Sequence, residues 1–129
     1  DVVANYADAA SIADLAVAVE NGSAGQSAAE EAGVKNIILV QDQGAALMEV
    51  AAGTSDACVI DITMANAMTG EGTSYADLAA GISLTSEEYG VGFRKESDVT
   101  AKFNAFMDKL IADGTLQALA DKYSLTLAE

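Results

Sequence analysis

The chain has no histidine, no proline, one cysteine and only six cationic side chains among its 129 residues. Without histidine, the common mixed zinc sites and every Ser-His or Cys-His nucleophile arrangement are excluded by composition. Cys58 stands alone inside the apolar run Ala57-Cys58-Val59-Ile60. It reads as a small buried hydrophobe, and a single thiol forms no internal disulfide, so it says nothing of redox compartment. With Lys35, Arg94, Lys95, Lys102, Lys109 and Lys122 as the only cations, the formal net charge is −14. Such a surface repels a phosphate backbone or an anionic membrane, so nucleic acid is excluded as a partner. No run approaches the ~20 apolar residues needed to cross a bilayer. No charged, apolar, small-residue leader opens the sequence, which reads as a targeting segment absent or removed. The lack of proline leaves no rigid linker, and neither an internal repeat nor a low-complexity tract is present.

What is present is an apolar half, 51% of the residues, in a chain long enough for a domain with a real core. Val2-Val3 and Val17-Ala18-Val19 read as short strands. The second breaks at Asn21-Gly22-Ser23, where Ser23 is placed to cap a helix, Gln26 to complete a capping box and Gly33 to end it. Asn36-Ile37-Ile38-Leu39-Val40 follows as a continuous apolar strand, which predicts burial on both faces. Asp42 can cap a second helix with Ala46, Leu47 and Val50 on one face and Gly53 past its end. Ala57–Ile60 is a third strand, closed by Asp61. A short helix near Met64–Met68 and two further strands, near Ile82–Leu84 and Tyr89–Phe93, complete the expectation. Alternation of strand and helix at this spacing implies βαβ units around a parallel sheet. The expected fold class is therefore α/β: one three-layer α/β/α lobe with a mostly parallel sheet of about five strands, then two C-terminal helices. In the first of these Ser97 is the expected cap, Val99, Phe103, Phe106, Met107 and Leu110 recur at helical spacing, and Gly114 is the stop. The second carries Leu116, Leu119, Ala120 and Tyr123 on one side.

Two features could bind a ligand. The turn Gly22-Ser23-Ala24-Gly25, between a strand and a helix, exposes backbone N–H groups at the positive end of a helix dipole, which suits a carboxylate or phosphate. It is neither a P-loop nor a dinucleotide fingerprint, and on sequence pattern alone an ordinary capped helix start is the more common explanation. Asp61 follows a buried strand at the same sheet edge, where ligands of open parallel sheets collect. A cap for the next helix is the alternative role for Asp61. Together the two would suit a zwitterion. Glu71, Glu87 and Glu88 lack the spacing of a calcium loop and read as a solvated face. No acid–base pair is selected, so no catalytic residue, metal or cofactor is assigned.

With these residues in hand the chain resembles the periplasmic-type solute-binding proteins, in particular the polar amino acid-binding family of ABC importers. "SIADLAVAVENGSAGQSAAEE" is similar to the strand-turn-helix opening of the family's second lobe, and "ALMEVAAGTSDACVIDITMA" to its helix, glycine, strand and aspartate. "EEYGVGFRKES" resembles the returning hinge strand, and "FNAFMDKLIADGTLQALADKYS" the C-terminal helix pair. The resemblance implies residues 1–95 as the lobe with both hinge strands, and 96–129 as helices that pack on the family's first lobe, which this stretch lacks. It implies that Ser23, Ala24 and Gly25 donate to a ligand carboxylate while Asp61 takes the α-ammonium, with ABC importer membrane subunits as partners and an extracytoplasmic location. Three departures qualify it. Ala24 stands where many members have a hydroxyl, the entry Asp14-Leu15-Ala16-Val17 is trimmed, and the family's first lobe is largely missing, with its carboxylate-gripping arginine, which Arg94 does not match. Half a cleft implies weak solute binding or none. The uncovered apolar stripe of the C-terminal helices implies a homodimer or domain swap. Two other classes share the architecture: a dehydratase acting on a small carboxylic acid, and a stand-alone flavodoxin-like signalling domain, for which Glu20 stands at the right strand end but the usual lysine is missing.

Overall fold

Val17, Ala18 and Val19 are each 0% exposed, because their strand is enclosed on both faces and along both edges. In the computed structural model, which describes residues 2–128, β1 (Ala16–Glu20) is the middle strand of a three-stranded parallel sheet ordered β2-β1-β3. β2 (Asn36–Val40) pairs along its whole length, Ala16 opposite Asn36 through Glu20 opposite Val40, and β3 (Ala57–Val59) pairs on the other side from Val17–Ala57 to Val19–Val59. The chain divides into two compact units, Asp1–Ser86 and Glu87–Glu129, with the sheet in the first.

In that first unit α1 (Val2–Asn5) and a 3-10 turn (Ala9–Ile12) precede the sheet. Each strand then runs into a helix: α2 (Ala24–Glu31), α3 (Gln43–Ala51) and α4 (Ile62–Met68). All three start on an oxygen side chain, Ser23, Asp42 and Asp61, that accepts a first-turn backbone N–H, satisfying donors the helix cannot. α2 and α3 stop alike. Gly33 and Gly53 adopt φ of 80° and 74°, and the next residue returns its N–H to the helix, Val34 to the Ala29 carbonyl and Thr54 to the Glu49 carbonyl. This is the Schellman closure, which favours glycine.

Strand alternation distributes the layers. Val17 and Val19 share a core with Ile12, Ala29 and Val34, joined by Ile37, Ala57 and Val59 on the same face of the sheet. Ala18 points the other way, and α3, with Ala46 and Leu47 buried, packs on β1 from that side. The fold is mixed α/β, as the strand–helix alternation implies.

Four expectations need correction. The sheet has three strands, not about five: Ile82–Leu84 and Tyr89–Phe93 form no ladder. Ile82 and Leu84 do reach the core, alternating with exposed neighbours, so burial without strand partners satisfies their apolar pattern. Tyr89 and Val91 are 82% and 61% exposed. Val2-Val3 lies in α1, since two β-branched residues carry too little preference to form a strand without a ladder. β2 is an edge strand rather than a doubly buried one, leaving Leu39 exposed.

The second unit holds α5 (Val99–Ala112) and α6 (Thr115–Lys122). Asp98 takes the N-cap position expected of Ser97, and the Ser97 hydroxyl accepts the Val99 N–H at 3.2 Å. Gly114, at φ 78°, ends α5 and opens α6. Phe93 and Phe103 meet with tilted rings at 5.4 Å. No residue of α5 is buried, and Val99, Phe106, Ile111 and Leu119 are exposed.

Candidate functional site

The ends of β1 and β3 lie side by side, since Val19 pairs with Val59. The chain passes from β1 out to β2 and then back across β1 to β3, so the junction of β1 and β3 is where its direction of winding reverses. At such a switch point the two crossovers lead away on opposite faces and leave a crevice beyond the carboxyl ends of the strands. The turn 21–25 follows β1 and Asp61 follows β3, so both stand on this edge.

The turn is built from side chain to main chain. Gly22 has φ 75°, a left-handed conformation open to glycine at little cost. The Ser23 hydroxyl accepts the Gln26 N–H at 3.1 Å and donates to the Glu20 carbonyl at 2.7 Å. Gln26 returns its Oε1 to the Gly22 N–H at 2.8 Å, one residue earlier than a standard capping box, because the Ser23 N–H already bonds the Glu20 carbonyl. Its Nε2 donates to Glu30. Ala24 and Gly25 are the first two helical residues, whose N–H groups have no carbonyl one turn back to bond. Gly25 presses on the neighbouring strand: a Cβ there would lie 3.1 Å from the Val59 carbonyl oxygen. The missing side chain at position 25 thus lets the start of α2 close onto the end of β3.

Asp61 acts as the cap that the alternative reading assigned to it. Its Oδ1 accepts the Thr63 N–H at 2.8 Å and the Met64 N–H at 3.3 Å. Its own N–H donates to Gln43 Oε1 at 2.9 Å, a bond from the first residue of α3 across eighteen residues of sequence. Sequence reasoning passed over Gln43, and no local signal marks it, since its partner is distant in the chain.

The surroundings set what this edge can do. Cys58, on β3, is half-buried, and burial pushes its thiol up to about 11, so it is a poor nucleophile near neutral pH. Glu71, Glu87 and Glu88 are exposed. Among the described residues no three Asp, Glu or Cys side chains gather closely enough to hold a metal ion, and no helix is long and apolar enough to cross a membrane. A depression of about 250 Å³ lined by Ala9, Ala28, Glu31, Ala32, Leu84 and Thr85 is lined by none of the edge residues Ser23, Ala24, Gly25 and Asp61. Comparison with protein-family models, with curated proteins and with solved structures found no match to this chain.

Proposed function

We propose that this chain is a solute-binding lobe for an amino acid, serving an ABC importer outside the cytoplasm and performing no chemistry of its own. The observation that carries the reading is the placement, past the adjacent ends of β1 and β3, of a helix start with main-chain donors and of a carboxylate. A zwitterion's carboxylate would take the N–H groups of Ala24 and Gly25, the Ser23 hydroxyl being committed to the Glu20 carbonyl, and its ammonium would take Asp61. Because a single wall leaves both charges in competition with water, binding by this chain is weak, in the roughly millimolar range.

The strand order 2-1-3 also favours a second reading, a flavodoxin-like domain holding an anionic phosphate group at the same crevice. A carboxylate on the rim and a net charge of −14 weigh against a phosphate there. Titration of isotope-labelled protein with individual L-amino acids, and separately with inorganic phosphate, separates the two. The receptor reading expects amide shifts at Ser23–Gly25 and Asp61 together with an amino acid, and their loss in Asp61→Asn, which keeps a capping oxygen but removes the charge. Shifts with phosphate alone, or shifts that survive Asp61→Asn, would sink it.

A further inference from the structure

We propose that Gln43 is a positioning residue of this site, holding the Asp61 turn at the angle from which its carboxylate meets a ligand ammonium; the inference rests on the receptor reading above. The strand ladder ends at Val59, so the Asp61 N–H lies past the last inter-strand pair and depends on another partner. The Gln43 side-chain oxygen is that partner, at 2.9 Å in a half-buried setting. The contact is not isolated. A Cβ on Gly44 would stand 4.0 Å from the Met64 methyl carbon, so the Met64 side chain of α4 reaches the residue that follows Gln43. On its other side the turn is closed by the Thr63 and Met64 N–H groups on Asp61 Oδ1. Main chain and carboxylate of Asp61 are thereby both held, and the Gln43 bond comes from another strand–helix unit. A binding group held by a neighbouring side chain keeps its geometry without the cost of ordering on each encounter.

The test uses the full chain, with Gln43→Leu removing the acceptor and Gln43→Glu keeping one. L-alanine and propanoate serve as probes that differ in the ammonium. Amide hydrogen exchange at Asp61 and NMR titration are read on the same samples. The expected result is faster exchange at Asp61 in Gln43→Leu and L-alanine affinity lowered about tenfold, the worth of one hydrogen bond. Propanoate affinity stays unchanged, and both effects revert in Gln43→Glu. A general loss of structure would weaken both probes alike, and that result overturns the proposal. Unchanged L-alanine affinity in Gln43→Leu, with binding still lost in Asp61→Asn, overturns the role of Gln43 and leaves the receptor reading standing. Absence of any shift with L-alanine in the unaltered chain removes the receptor reading and this inference with it.

Discussion

Gly25 bears on both stability and the candidate site. Its neighbour is a strand carbonyl, 3.1 Å from where a Cβ would sit, and main chain yields less readily than the far end of a side chain. Alanine would gain at most about 1 kcal/mol of helix propensity against roughly 1–3 kcal/mol of overpacking. We therefore expect Gly25→Ala to lower unfolding stability by about 1 kcal/mol, measured by urea denaturation, and a gain in stability would refute the close approach. Asp61 illustrates how far single residues can be read from sequence. Its position past an apolar run and before a helix signals a cap, and a cap it is. Its second attachment, through Gln43, is illegible because the bond links residues that only the fold brings together.

The same division holds for elements. Those with a local signature follow the pattern: β1, α2 with its Ser23 start and Gly33 stop, α3 with Asp42 and Gly53. Caps and left-handed glycines act within a few residues, so the sequence displays them directly. The segments 82–84 and 89–93 carry the same apolar alternation as a strand, yet a strand exists only if an edge accepts it, and none does. α5 raises the opposite matter. It is well formed over fourteen residues with none buried, while short helices in water owe most of their stability to a packed face. A second copy covering Phe106, Ile111 and Leu119 would supply that face. Amide exchange in α5 and α6 should then slow as protein concentration rises, while β1 stays unaffected. Concentration-independent exchange together with a solution mass of 13.1 kDa would rule the pairing out.

Across the whole molecule, charge is unevenly shared. The unit Asp1–Ser86 has one cation against twelve acidic residues, and Glu87–Glu129 has five against eight. The two ion pairs present among the described residues, Lys35–Asp14 and Lys102–Asp98, have side chains roughly three-quarters exposed and contribute little. Asp14 raises the Lys35 ammonium above its ordinary value, a local effect set against a general excess of like charge. Self-repulsion should therefore dominate the response to salt. Raising sodium chloride from ~10 mM to ~0.5 M shortens the screening length from about 30 Å to a few ångströms. The melting temperature should rise by about 4 °C, the equivalent of roughly 1 kcal/mol. A falling melting temperature would mean that attractive pairs outweigh the repulsion.

The placement of β1 between two later strands also dictates an order of events during synthesis. The central segment is made first and waits, its valines wet, while about twenty residues are added before one flank exists and about twenty more before the other. A nascent chain that has emerged from the ribosome just beyond Val40 would have half a platform, and one that has emerged beyond Val59 a closed one. Protection from protease should accordingly arrive in a single late step, because the last strand to leave the ribosome seals the first.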